Sequence, residues 1–163
     1  MKNIVLIGMM GCGKSTCGAL LAQRLGRELA DTDALIERRE GRSIPDLFAK
    51  EGEAYFRRLE AETALELSRR TNLVVACGGG LPLHQDAMAA LKATGSVVFL
   101  CRDPAQTFDT VPMDGRPLAQ AGKAAFVARF REREPVYRRW ADLVVTEFAS
   151  PEATVDAILE GLA

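Results

Sequence analysis

The chain predicts a three-layer α/β domain with a central parallel sheet, and three observations carry that expectation. Short β-rich runs alternate with helix-forming segments along its whole length. Several of those runs are continuously apolar, as strands covered on both faces must be. The first run passes straight into a glycine-rich loop and then a helix.

The first strand is residues 3–7. It leads into Gly8-Met9-Met10-Gly11-Cys12-Gly13-Lys14-Ser15, which matches the phosphate-loop pattern G-x-x-x-x-G-K-[ST] between a strand and a helix. The glycines let the backbone turn sharply and aim its N–H groups at phosphate oxygens. Lys14 brings a positive charge within reach of β- and γ-phosphates, and Ser15 offers a hydroxyl to Mg²⁺. The helix over 14–25 points its positive end at the same anion. A second strand, 28–32, precedes a helix over 33–40. Two more helical segments, 44–49 and 51–70, break the βα rhythm, so the stretch up to residue 70 reads as an insertion before the third strand at 73–77. A helix over 83–93, a fourth strand at 96–101 and a helix over 104–110 follow. Residues 111–117 hold two prolines and a glycine and read as a mobile segment. A helix over 119–139, a fifth strand at 143–146 and a helix over 151–162 complete the chain.

At 163 residues the whole chain, 1–163, is expected to form one domain. A net charge of −1 gives no general attraction to nucleic acid or to an anionic membrane. No apolar run approaches the ~20 residues that span a bilayer, and the first strand is too short for a signal-peptide core. Cys12, Cys17, Cys77 and Cys101 show no metal-binding spacing and read as reduced, mostly buried thiols of a cytoplasmic protein. His84 is the only histidine, which argues against histidine-based triads and the usual zinc sites.

Ligands of such sheets bind beyond the carboxyl ends of the strands, so candidate residues are sought there. The second strand ends in Asp31-Thr32-Asp33. As i and i+2 of a strand, the two carboxylates share a face and can enter one cleft, one toward a metal and the other toward a hydroxyl. Alternatively, Asp33 caps the next helix and Asp31 is solvated. In Phe56-Arg57-Arg58-Leu59-Glu60, Arg57 and Glu60 form either a surface pair or a bidentate clamp on a carboxylate with its orienting acid. Gly78-Gly79-Gly80 removes every side chain from the mouth of the third strand, which admits a ligand against bare backbone or makes a simple turn. Arg116 lies on the mobile segment, either solvated or closing onto a transferring phosphoryl group. The basic run from Arg129 to Arg139 reads mostly as a solvated face, with Phe126, Phe130 and Tyr137 inward. Pro135 is expected to kink or end that helix and so to aim Arg133.

Together these residues resemble the shikimate kinases. The resemblance spans essentially the whole chain. It rests on the phosphate loop, Asp31-x-Asp33, Phe56-Arg57-x-x-Glu60, the glycine triplet, Arg116-Pro117-Leu118 and Arg133-x-Pro135-Val136-Tyr137, in that order. It implies a three-layer P-loop kinase fold with a substrate-binding insertion at about 33–70 and a mobile lid at about 109–118. It implies a cytoplasmic monomer that uses ATP and Mg²⁺ to phosphorylate the 3-hydroxyl of shikimate, with no nucleic-acid or membrane partner. By matching position, Gly11, Cys12, Gly13, Lys14, Ser15, Thr16 and Arg116 bind the nucleotide, and Ser15 and Asp31 serve the metal. Asp33, Arg57, Gly79, Gly80 and Arg133 bind the substrate, with Glu60 orienting Arg57. Lys14, Asp33 and Arg116 are the catalytic set.

Three departures from the family pattern stand out. Cys77 replaces a common Ser or Thr, the lid carries Asp109 and Asp114 with Arg116 as its one cation, and residues 146–150 lack an arginine expected against adenine. A P-loop kinase of another small hydroxy acid, such as gluconate, and a non-catalytic binding module are the other readings.

Overall fold

The computed structural model describes residues 2–110 and 122–163. Five strands form one sheet: β1 (Asn3–Ile7), β2 (Glu28–Asp31), β3 (Leu73–Ala76), β4 (Gly95–Leu100) and β5 (Leu143–Val145). All neighbours run parallel, in the order β2-β3-β1-β4-β5. Each strand agrees with its sequence expectation to within one residue at either end. The helices are α1 (Lys14–Leu25), α2 (Thr32–Glu40), α3 (Ile44–Glu51), α4 (Glu53–Ser68), α5 (Gln85–Thr94), α6 (Pro104–Thr110), α7 (Lys123–Trp140) and α8 (Pro151–Leu162).

The apolar runs are continuous because both faces of the sheet are covered. In β1, Ile4 and Leu6 face a layer built by α1 and α8, where Leu21, Val155 and Ile158 are buried. Val5 and Ile7 face the opposite layer, with Leu67 of α4, Met88 and Leu91 of α5 and Tyr137 of α7. β1 has β3 on one side and β4 on the other, so the chain changes direction of travel across the sheet at this strand. Such a reversal opens a crevice beyond the carboxyl end of the strand, and Gly8–Ser15 sits at that point.

Two polar side chains pin the far end of the sheet. Asn3 is fully buried; its amide donates to Arg70 O at 2.9 Å and accepts from Leu73 N at 2.8 Å, which sets the start of β3 against β1. Asp142 accepts from Val97 N at 2.9 Å and from Lys92 Nζ at 2.9 Å, which sets β5 against β4. Neither signal stands out in the sequence, because an isolated Asn or Asp at a strand end also fits a turn.

The insertion carries its own small core. Ile36 of α2, Leu47 of α3 and Phe56 of α4 are buried together, and the Phe48 and Phe56 rings are 5.0 Å apart. Gly52, at φ 86°, both ends α3 and opens α4. The left-handed backbone at this one residue lets two helices meet without a loop. The cluster fixes α4 so that Arg57, next to the buried Phe56, faces the sheet mouth.

Two expectations need correction. α2 begins at Thr32, so Asp33 lies in its first turn rather than on a strand, and its N-cap is Asp31, which accepts from Ala34 N at 3.1 Å. Pro135 does not end its helix, since α7 runs through it to Trp140. The N–H that proline lacks would have bonded the carbonyl of Arg131, and both residues are exposed, so water can take the freed oxygen. α7 starts later than expected, at Lys123 after Gly122, and residues 119–121 lie outside the described residues. So do residues 111–117, which the sequence reads as a mobile segment, and Arg116 within them.

Replacing Asn3 with Ala leaves a buried N–H and a carbonyl without their partner. The expected cost is about 1–3 kcal/mol. Urea unfolding should show a lower midpoint at unchanged slope, while nucleotide affinity is retained.

Candidate active site

One cleft of about 850 Å³ lies over the carboxyl ends of the strands and takes in the phosphate loop, the end of β2, the glycine triplet and parts of α4 and α7. The sequence candidates Asp31, Asp33, Arg57, Gly79, Gly80 and Arg133 all line it, as do Gly11, Cys12, Gly13, Lys14, Ser15 and Thr16.

The loop is shaped by its glycines. At Gly8, φ is 152° and a Cβ would sit 2.8 Å from both Cys12 Sγ and Leu100 O, so the position admits no side chain. Gly13, at φ 98°, opens α1 without a side-chain cap, which leaves the first N–H groups of α1 directed into the cleft. Lys14 Nζ donates to Gly8 O at 2.6 Å and Met9 O at 2.8 Å, so the ammonium lies along the loop.

The acidic side is held from beneath by a buried hydroxyl. Thr32 Oγ1 accepts from Gly78 N at 2.9 Å and ties the start of α2 to the triplet. Ser15 Oγ donates to Asp31 Oδ2 at 2.6 Å. This hydroxyl and carboxylate are hard oxygen donors at the cleft, the chemistry Mg²⁺ takes alongside phosphate oxygens and water. Among the described residues no group of three or more His, Cys, Asp or Glu side chains forms a metal cage. The donor set therefore suits an ion held jointly with a phosphorylated ligand.

Asp33 is the strongly perturbed acid. Burial, with Glu60 and Asp31 nearby, raises its pKa from an ordinary 3.8 to about 7, against a lowering pull from Lys14. Its Oδ1 is buried without a hydrogen-bond partner. Cys77 is buried beside it, and burial pushes its thiol far above the usual range. It serves as a small apolar neighbour of the site.

Each glycine of the triplet makes room for one charged side chain. A Cβ on Gly78 would lie 2.5 Å from Asp33 Oδ1, one on Gly79 would lie 3.4 Å from Arg133 Nη1, and one on Gly80 would run into Arg57 Nη1. Both arginines are set by their neighbours. Arg57 Nη1 donates to Glu60 Oε1 at 2.6 Å, with Glu60 1% exposed, while its Nε and Nη2 reach the exposed Glu53 Oε1 at 3.4 and 3.5 Å, so the guanidinium joins a buried acid to a surface one. Arg133 is 6% exposed, and no acidic side chain pairs with it among the described residues. One turn further on, Tyr137 donates to Gly79 O at 2.7 Å, and Trp140 Nε1 donates to Pro82 O at 3.0 Å. These two bonds lock α7 onto the turn. Burial raises the Tyr137 hydroxyl to about 12, so it remains a donor at neutral pH.

Three lining residues escape the sequence reading. Arg129, one turn before Arg133 on the run read as solvated, reaches the cleft. Arg102 and Phe148 line its opposite end. Arg102 lies just beyond the carboxyl end of β4, and that position is the signal that could have found it. Of the lid acids, Asp109 is paired with Lys123 Nζ at 2.7 Å. Asp114 lies outside the described residues.

The fold and this cleft define a P-loop kinase that acts on a small molecule. Comparison with known proteins narrows the class. A family model described as shikimate kinase matches residues 10–163. The chain belongs to the shikimate kinase family, and membership makes it an ATP-using enzyme. The shikimate kinase of Nitrosomonas europaea is 43% identical over 146 residues, covering 88% of this chain and 69% of that protein. That of Pseudomonas entomophila is 42% identical over 166 residues, covering 99% and 96%. The solved structure of shikimate kinase from Acinetobacter baumannii in complex with shikimate has a TM-score of 0.93 and 36% identity, covering 99% of this chain and 93% of that one. A gluconokinase from Sinorhizobium meliloti, 18% identical with a TM-score of 0.56 and covering 99% and 91%, shares the fold alone. Among the described residues no helix is long and apolar enough to cross a membrane.

The raised pKa of Asp33 has a defined effect on stability. The folded form holds its proton up to about 7, while the unfolded chain releases it near 4. Folding therefore loses stability as pH rises between those values and changes no further above them. In Mg²⁺-free buffer, Asp33→Asn should gain stability relative to wild type as pH is raised from about 4 to 7, with a constant gap above. Denaturant midpoints across that range test it, and a gap independent of pH would contradict the assignment.

Proposed function

We propose that this chain transfers the γ-phosphoryl group of MgATP to the 3-hydroxyl of shikimate, releasing ADP and shikimate 3-phosphate. The observation that carries the reading is the placement of Arg57 and Arg133 against Gly79 and Gly80, in the cleft that also holds Asp33 and the phosphate loop. A buried guanidinium without an acidic partner, as at Arg133, favours a bound anion. Two guanidinium groups on one turn suit a single carboxylate on a compact ring. Family membership and the likeness to a shikimate-bound enzyme support the same substrate.

In this reading the backbone N–H groups of Gly11, Cys12 and Gly13, with Ser15 and Thr16 at the helix start, cradle the phosphates. Lys14 turns from the loop carbonyls to the β- and γ-oxygens. Ser15 and Asp31 would hold Mg²⁺, which when bound draws charge from the phosphate oxygens. Arg57 and Arg133 hold the carboxylate, and Gly79 and Gly80 allow the ring to lie against backbone. This places the acceptor hydroxyl at Asp33, whose unpartnered Oδ1 accepts its hydrogen bond and then its proton as oxygen bonds to phosphorus and the β–γ bridge breaks. A carboxylate with pKa near 7 is suited to take a proton at neutral pH. The resemblance supplies Arg116 as the lid cation that meets the transferring group. The protein acts as a monomer in the cytoplasm.

A coupled assay with ATP, Mg²⁺ and either shikimate or gluconate tests the reading. Turnover confined to gluconate, or absent with both, would overturn it. Removing one arm of the clamp, by Arg57→Ala or Arg133→Ala, should weaken shikimate binding by about 2–5 kcal/mol, and Gly80→Ala should act in the same direction by displacing Arg57. Calorimetry should show ATP affinity nearly unchanged in all three variants. Asp33→Asn should bind both ligands yet turn over at least about 10²-fold more slowly; near-normal turnover would remove Asp33 from its role.

A further inference from the structure

The single histidine of the chain has no role in the transfer, yet it stands behind the acid that sets Arg57. His84 occupies the N-cap position of α5, a place that favours Ser, Thr, Asp or Asn, but its side chain makes no capping bond. Its backbone is held on both sides: His84 N donates to Leu81 O at 2.9 Å, and Met88 N donates to His84 O at 2.9 Å. The ring turns toward α4 instead. Its Nε2 is buried, has no hydrogen-bond partner, and lies 3.4 Å from Glu60 Oε1. That same oxygen accepts from Arg57 Nη1 at 2.6 Å. The other oxygen of Glu60 faces the glycine triplet, where a Cβ on Gly78 would lie 3.1 Å from it.

From this juxtaposition we infer that His84 is a positioning residue for the acid clamp: its Nε2–H is a second donor to Glu60, and through Glu60 it sets how freely Arg57 turns to a ligand carboxylate. The inference rests on the reading of Arg57 as a shikimate contact. Glu60 is 1% exposed, and a carboxylate so placed needs donors. A bare ring nitrogen beside it would set lone pair against lone pair, so the proton belongs on Nε2. Arg57 is meanwhile drawn two ways, by Glu60 from inside and by the exposed Glu53, which accepts from Nε at 3.4 Å and from Nη2 at 3.5 Å. An arriving carboxylate must take nitrogens from one acid or both. Glu53 can exchange its share for water, whereas the buried Glu60 needs a replacement from the protein. The His84 ring is within reach, since closing to a charge-assisted bond takes a shift of about 0.6 Å. Without His84, Glu60 keeps its hold on Arg57 and competes with the ligand.

Two measurements test this. Because His84 is the only histidine, the ring nitrogen resonances of untagged ¹⁵N-labelled protein report on it alone. The expected spectrum has a proton on Nε2, and its signal moves in Glu60→Gln and again when shikimate is added to wild type. A ring protonated on Nδ1 alone overturns the inference, and this readout stands even if a His84 variant folds poorly. Calorimetry then follows shikimate and ATP in a double-mutant cycle of His84→Leu and Glu60→Gln. His84→Leu should weaken shikimate about 5-fold or more and ATP by less than about 2-fold. Its KM for shikimate should rise while kcat holds. His84→Gln, which returns an N–H donor, should recover most of the loss. In the Glu60→Gln background, His84→Leu should change shikimate affinity by less than about 2-fold. A loss of the same size in both backgrounds would show that the ring only packs, and no loss in either would show that it does not act on Arg57; each result overturns the inference. Failure of the substrate reading looks different: the ring signal and its dependence on Glu60 would persist, but wild-type protein would bind no shikimate, which removes the clamp's ligand and the positioning role with it.

Discussion

The structure depends on a turn that carries no side chains. Gly78, Gly79 and Gly80 follow β3 after Cys77, and three polar groups press against them: Asp33, Arg133 and Arg57 in that order. Each comes from a different helix, so the turn is where α2, α4 and α7 are brought to a common distance. Any Cβ at the first or third position would displace the group it faces. The turn is itself held from three sides, by Thr32 at Gly78 N, Tyr137 at Gly79 O and Trp140 at Pro82 O. These bonds tie the backbone of the turn to α2 and α7, so the charges inherit the precision of helices packed on the sheet rather than that of a loop.

The site is built against its own stability. Asp33 sits near Glu60 and Asp31 in a buried environment, and the result is a carboxyl that keeps its proton to about pH 7. Arg133 is buried, and among the described residues no carboxylate pairs with it. Leaving a charge in this state costs folding free energy, which a fully paired core would not. The groups that bear the cost are those aimed at the cleft. Glu60 and Arg57 show the contrast: a buried acid 2.6 Å from Arg57 Nη1, the nitrogen that also faces Gly80, while Nε and Nη2 reach Glu53.

The parallel sheet explains why the cleft extends to both sides of the phosphate loop. The reversal at β1 puts the phosphate loop at the middle of the carboxyl edge, with β3 and β2 on one side and β4 and β5 on the other. Asp33 and Arg57 come from the β2–β3 connection, and α7, between β4 and β5, brings Arg133 over to them. Arg102 and Phe148 come from the β4–β5 side. Phosphoryl transfer requires two ligands to meet, and this topology leaves cleft space on both sides of the loop.

The sequence by itself determined the strands, the phosphate loop and the identity of most cleft residues, because these are local. A buried parallel strand must be apolar throughout, a phosphate loop must place glycine where φ is positive, and family motifs keep their order. Tertiary structure decided what depends on contacts between distant segments. Spacing alone left Arg57 and Glu60 as a possible surface pair; in the folded helix the acid of the pair is buried and Arg57 stands at the cleft. The Asp-x-Asp pattern suggested one strand face, but the helix starts a residue early and Asp31, not Asp33, caps it. Pro135 suggested a helix break, yet its missing bond falls on the solvent side of a helix already anchored by Tyr137 and Trp140. The sequence marks Arg102 only as a residue beyond a strand end; its neighbours Gly11 and Phe148, 91 residues before it and 46 after, are brought to it by the folded sheet.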